Sequence, residues 1–176
     1  NWVSNVFPGI LGRTCDRPCE PACRRGRVEE ANAEKPEPVA ICRLKRVAAD
    51  LKDDVVARMP RPLPSNGKRI ACVGAGPASL TVARDLAPLG YQVTVFDGER
   101  KAGGFMHQQI PRFRLPESVI DEETGYIFRL GVQFRAGQRI DSMKALLSEG
   151  YDAIFVGTGA PRGRDLDLPG RREAAA

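Results

Sequence analysis

From Lys68 onward, short apolar runs alternate with stretches of helical spacing. Lys68–Val73 (KRIACV), Gln92–Phe96 (QVTVF), Val132–Arg135 and Tyr151–Val156 (YDAIFV) have strand length and strand composition. Between them the spacing predicts a helix over about Pro77–Leu89, stopped at Gly90. A second follows a long loop, with Pro116 at its first position, Leu130 at its end and Gly131 as terminator. A third covers Ser142–Glu149, with Asp141 as N-cap and Gly150 behind it. Alternation of this kind predicts an α/β fold, a parallel sheet with flanking helices.

The first 65 residues are patterned differently. Pro8, Gly9, Gly12, Pro18, Pro21 and Gly26 mark 1–27 as loop or short helical turns, and Glu29–Pro38 reads as a polar connector. From Val39 to Met59 the apolar residues Ile41, Leu44, Val47, Leu51, Val55 and Met59 recur at helical spacing. Pro60, Pro62, Pro64 and Gly67 then form a stiff linker. The expected division is therefore a helical and loop module over 1–65 and an α/β domain over 66–176.

The net charge of +5 excludes little, because it is spread along the chain. Residues 1–65 carry 12 basic and 9 acidic groups and residues 66–176 carry 15 and 13, without the concentrated basic patch of a nucleic-acid binder. No apolar run approaches the roughly 18–20 residues of a membrane span. With no secretory pattern, a cytoplasmic protein is expected. The lack of an initiator Met and of a capping element at Ala176 suggests a piece of a longer protein.

The motif that carries chemistry is Gly74-Ala75-Gly76-Pro77-Ala78-Ser79, between a predicted strand and a predicted helix. Gly74 permits a tight turn, Gly76 lets a pyrophosphate approach the backbone, and the third position, here Ser79, must be small for helix and strand to pack. The helix N-terminus offers free N–H groups to phosphate. Asp97 closes the second strand 21 residues after Gly76, where an acid takes the ribose hydroxyls of a dinucleotide. Its carboxylate disfavours NADP at this turn and leaves NAD and FAD open.

Cys15, Cys19 and Cys23 follow a C-x3-C-x3-C spacing in a proline-bearing loop, and Cys42 is a candidate fourth ligand. The spacing alone is compatible with a [4Fe-4S] cluster, a four-cysteine zinc site or free thiols. Cys72, inside the first strand, reads as a small buried hydrophobe. His107, the single histidine, is not placed in a catalytic set.

GRTCDRPCEPACRRG, GAGPASLTVARDLAPLGYQVTVFD, AGGFMHQQIPRFRLP and IFVGTGAPRGRDLDLPG occur in that order over nearly the whole chain. Together they resemble the small-subunit family of NADPH-dependent glutamate synthase, which includes the N-terminal half of dihydropyrimidine dehydrogenase. The resemblance implies a Rossmann-type half domain binding FAD, cysteines belonging to [4Fe-4S] clusters, NADPH on a domain outside this chain, and a partner subunit or domain receiving electrons. It implies that Gly74, Gly76, Pro77, Ala78 and Ser79 line the FAD pyrophosphate and Asp97 the ribose. Gly103, Gly104 and Phe105 form a second cofactor loop, Gly157, Thr158 and Gly159 pass the flavin, and Ile110–Pro116 enters its edge. Cys15, Cys19, Cys23 and Cys42 are the metal candidates; no general acid or base is implied. Because the family's upstream cysteines and its NADPH domain are missing from this chain, the chain alone is expected to be inactive and residues 1–38 to be mobile, with few apolar groups to bury and no metal to organise them. The rival readings are an NAD-dependent dehydrogenase domain and a zinc-stabilised interaction module on an inactive Rossmann domain.

Overall fold

The computed structural model describes residues 2–27 and 37–160. Its centre is a four-stranded parallel sheet, ordered β3-β2-β1-β4, of β1 (Arg69–Val73), β2 (Gln92–Asp97), β3 (Gln133–Ala136) and β4 (Ala153–Val156). In register, Val73 lies beside Phe96 of β2 and Val156 of β4, so three strands end together. β1 is covered on both faces, which is why it reads as a continuous apolar run. On one face Ile70, Cys72, Val93 and Val95 pack beneath Leu80, Ala83, Ile120 and Ile127. On the other, Ala71, Val73 and Phe96 pack against Leu146. Those covers come from α3 (Pro77–Leu86), α5 (Glu117–Phe128) and α6 (Met143–Ser148).

In the α/β domain the predicted strands and helices are all present, with small shifts at their ends. Gly90 ends the single-turn extension of α3 at φ +85°, a conformation glycine adopts without steric cost. The cap of α6 is a correction: Ser142, rather than Asp141, is the N-cap, and its Oγ accepts from the Ala145 N–H at 3.2 Å. The loop between β2 and α5 contains a further one-turn helix, α4 (Phe105–Gln108).

The N-terminal region holds two helices, α1 (Pro8–Thr14) and α2 (Ile41–Asp50). The helix predicted to reach Met59 stops nine residues earlier, at Asp50. Lys52 Nζ donates to the Ala49 carbonyl at 2.6 Å, and Asp54 accepts the Val56 N–H at 2.9 Å in a local turn. Two adjacent carboxylates, Asp53 and Asp54, are also unfavourable beyond the negative end of a helix dipole. Within α2 the buried residues are Cys42 and Ala49, while Leu44, Val47 and Leu51 of the apolar stripe are exposed.

The expectation that residues 1–38 have little to bury is corrected. Phe7 and Ile10 belong to the main core, and Trp2 and Val6 pack against it. Arg84 of α3 stacks over the Trp2 ring and donates to the Trp2 and Val3 carbonyls. The expected connector lies largely outside the described residues, as do residues 161–176.

The glycines of α1 are sites of close approach. A Cβ on Gly12 would lie 2.8 Å from Arg46 Cβ and 3.0 Å from Arg46 Cα, where α1 crosses α2. Arg13 locks the crossing with a two-pronged ion pair to Asp50, at 2.9 Å on both arms. Gly12→Ala should lower stability by about 1–3 kcal/mol, the usual overpacking cost. A fall in Tm followed by circular dichroism checks it.

Candidate dinucleotide and cysteine sites

The turn between β1 and α3 is where Asp97, the Gly103–Gly104 crossing and Gly157 come together. Gly74 continues the sheet through its N–H to the Phe96 carbonyl at 2.8 Å, then turns at φ +94°. A Cβ there would overlap the Gly157 carbonyl oxygen, beyond the end of β4. Gly157 is equally constrained: its Cβ would overlap Ser79 Oγ, and its N–H donates to the Val73 carbonyl at 2.8 Å. Ser79 is fully buried, and its hydroxyl has no hydrogen-bond partner among the described residues.

Gly76 differs in kind. It is the N-cap of α3 in an extended conformation, and an added Cβ would come no closer than 4.0 Å to any protein atom outside its chain neighbours. Pro77 opens α3. The start of the helix carries no side-chain cap, and the space beside Gly76 is clear. Gly103 donates to the Ala75 carbonyl at 2.8 Å, and a Cβ on Gly104 would lie 3.0 Å from Gly76 Cα. Their φ values of +126° and +50° carry the chain across the turn. Phe105 is exposed, and so are Pro77, Ala78, Thr158 and Gly159. Thr158 Cα still borders the Gly74 position, whereas a Cβ on Gly159 would meet open space.

Asp97 sits at the end of β2 with both carboxylate oxygens engaged by backbone. One accepts the Ala75 N–H at 2.5 Å and the other the Glu99 N–H at 2.8 Å. These bonds orient the acid and hold the glycine turn. Each oxygen retains a lone pair, so ribose hydroxyls can still donate.

In the Ile110–Pro116 loop, Leu115 is buried and Phe113 is 93% exposed. His107 is half-buried, with Nδ1 3.0 Å from the Arg112 guanidinium and Nε2 3.3 Å from Glu117, which also pairs with Lys101. Nε2 is buried and makes no hydrogen bond among the described residues, so Glu117 stands beside it at ion-pair distance only. His107 is thus a structural link.

The cysteines gather where α1 ends and α2 begins. Cys15 is the C-cap of α1, and its sulfur accepts the Arg17 N–H at 3.4 Å. That contact needs Arg17 at φ +64°, the one positive value at a non-glycine among the described residues. Cys42, in the first turn of α2, is 3% exposed; burial pushes its thiol up, Lys45 opposes this, and the Cys15 sulfur lies within hydrogen-bond reach. Cys19 is near enough to add its charge. The Cys23 thiol is held below its ordinary value by N–H groups of Val39, Arg25 and Gly26. Glu20, which sequence reasoning did not single out, caps α2 by accepting the Cys42 N–H at 3.0 Å. All five cysteines are free, and Cys72 is the buried hydrophobe expected, its thiol pushed up to about 11 by burial.

A parallel sheet, a glycine turn at the end of its central strand and an acid closing the next strand define a Rossmann-like dinucleotide fold. The family model described as an NAD(P)-binding Rossmann-like domain matches residues 72–148. Over 96% of its length the chain is 35% identical to the NADP(+)-dependent formate dehydrogenase subunit beta of Moorella thermoacetica, covering 26% of that protein. It is also 35% identical to the glutamate synthase [NADPH] small chain of Mycobacterium tuberculosis, covering 34% of it. The NAD-dependent dihydropyrimidine dehydrogenase subunit PreT homolog of Salmonella typhi is 33% identical over 94% of the chain, which covers 39% of it. The chain thus spans about a quarter to two-fifths of the relatives it matches, and the resemblance read from its motifs holds along almost all of it.

The two glycines of the turn should separate on substitution. Gly74→Ala should destabilise the fold by about 2 kcal/mol or more, from positive φ and overlap with Gly157. Gly76→Ala should stay within about 0.5 kcal/mol of the parent, having nothing to displace. Urea unfolding of both variants measures the difference.

Proposed function

We propose that this chain is the cysteine-bearing segment and first dinucleotide-binding half of an NAD(P)H-dependent flavin and iron–sulfur oxidoreductase subunit. The observation that carries the reading is the clear space at Gly76, bounded by the uncapped start of α3, the Gly103–Gly104 crossing and the end of β4. Such a cradle fits a pyrophosphate, and Asp97 beside it fits a ribose. FAD is the dinucleotide proposed here. The resemblance sets the Gly103–Gly104 loop and the β4 end along a flavin, and in this structure both flank the turn. When bound, FAD would accept a hydride from a nicotinamide nucleotide and release electrons singly.

The cysteines fit a second group. Cys42 interacts with Cys15 and Cys19, and Cys23 follows in the same loop, a donor set that suits [4Fe-4S] iron; N–H groups beside Cys15 and Cys23 suit its anionic sulfurs. This chain's residues would then position two redox groups and exclude water from the buried side of each. The proposed partner is a subunit or domain that takes up the electrons, and NADPH is the proposed donor, held outside this chain. The names of the relatives, subunits of NADPH- or NAD-linked oxidoreductases, support that assignment.

The test uses the full-length protein that carries this chain, purified anaerobically. A flavin absorption spectrum with iron and acid-labile sulfide is the expected result. A colourless protein binding NAD would favour the dehydrogenase reading, and zinc without sulfide the interaction module. Gly76→Val should yield a folded protein without flavin, because the branched side chain fills the cradle; normal flavin content would overturn the assignment of the turn.

Asp97→Ala should weaken dinucleotide binding by about 1–3 kcal/mol, the worth of a hydrogen bond to a charged acceptor. A titration giving an unchanged Kd would reduce Asp97 to a brace for Ala75.

A further inference from the structure

α1 begins inside the protein: Phe7, Pro8, Gly9 and Ile10 are all buried. The first N–H groups of a helix have no partner within it, and here water cannot supply one. Glu123 of α5, only 2% exposed, supplies it from 113 and 114 residues away. Its two oxygens accept the Gly9 N–H at 2.6 Å and the Ile10 N–H at 3.1 Å. Gly9 is shaped to this contact, since a Cβ there would lie 2.9 Å from Glu123 Oε1 and 3.2 Å from Val119. The other end of α1 is held as well, by Arg114 Nε donating to the Arg13 carbonyl at 3.2 Å. Cys15 is the residue that caps that end.

We propose that Glu123 is a positioning residue that fixes α1, and with it Cys15, against the dinucleotide domain, and that it does so with a pH-dependent grip. Its redox consequence rests on the electron-transfer reading above: a shift of α1 would change the separation of the two redox groups. The grip depends on pH because burial raises the Glu123 carboxyl from its ordinary 4.5 to about 7. The two N–H groups oppose that rise. The charged groups acting on it are Glu122 on α5, which raises it, and Lys52 after α2, which lowers it; on α1 the Arg13 guanidinium donates to the Gly9 carbonyl at 3.0 Å. The sign follows from linkage. A carboxyl that binds its proton more tightly when docked than when free favours docking below about pH 7, and this advantage is lost as pH rises from about 4.5 to 7.

The experiment is amide hydrogen exchange at Gly9, Ile10 and the rest of α1 in the full-length protein, as protection factors corrected for intrinsic rates. In the parent, protection should fall as pH is raised from about 5 to 8. Glu123→Ala leaves two buried N–H groups without an acceptor and should lower protection about tenfold or more at every pH. Glu123→Gln keeps one acceptor oxygen, sets an NH2 against the second N–H and has no charge to bury, so its protection should fall between that of the parent and of Glu123→Ala and lose the pH dependence. Parental protection in Glu123→Ala, or a parental pH profile in Glu123→Gln, would overturn the proposal. The Gln variant reads it even if the Ala variant does not fold. Iron and flavin contents, measured on the same samples, decide the electron-transfer reading separately.

Discussion

The close approach of backbone to backbone at the end of the sheet is the constraint on which the rest depends. The carbonyl of Gly157 occupies the place where any side chain on residue 74 would stand, and the hydroxyl of Ser79 occupies the place for one on residue 157. Three chain segments thus converge with little more than the Ser79 hydroxyl between them. The ladder hydrogen bonds from Gly74 to Phe96 and from Gly157 to Val73 carry strand geometry into the turn. Because the sheet fixes that convergence, the start of α3 and the carboxylate of Asp97 face the same opening. The open space at Gly76 is a by-product of how tightly β1, β2 and β4 end together.

The N-terminal region is joined to this framework by polar contacts at defined atoms as well as by apolar burial. Phe7 and Ile10 join the core, yet they do not fix the direction of α1. Direction comes from Glu123 at one end, Arg114 at the other, and the Arg13–Asp50 pair on the side facing α2. The glycines at 9 and 12 let those partners come close. Two sites that are distant in sequence are thereby held in one frame.

Much of this was legible in the residues themselves. The strands announced themselves as apolar β-branched runs, and Gly90 and Gly131 punctuated the helices as expected. The glycine turn was readable because its backbone geometry admits almost no other residue type. What was not legible depended on partners far away in sequence. Gly9 and Gly12 look like loop residues until α5 and α2 are seen against them, and Glu123 looks like one more acid in DEET until α1 needs an acceptor. The end of α2 was misplaced because the apolar period continues through Leu51, Val55 and Met59 while Asp53 and Asp54 act against it. Leu44, Val47 and Leu51 of that stripe face solvent, and the buried residues of α2 are the small Cys42 and Ala49.

The five sulfurs of the chain's cysteines fall into two chemical classes. Four lie in the α1 and α2 region, two of them half-buried and one exposed, where oxidants and alkylating reagents can arrive. The fifth, Cys72, is sealed within the central strand with no exposed surface and a thiol pushed up to about 11, so the reactive thiolate is essentially absent near neutral pH. Oxidative damage therefore has a direction in this molecule: it spends itself on the cysteine loop and leaves the sheet untouched. A preparation that has lost its N-terminal chemistry to air would still carry an intact dinucleotide fold.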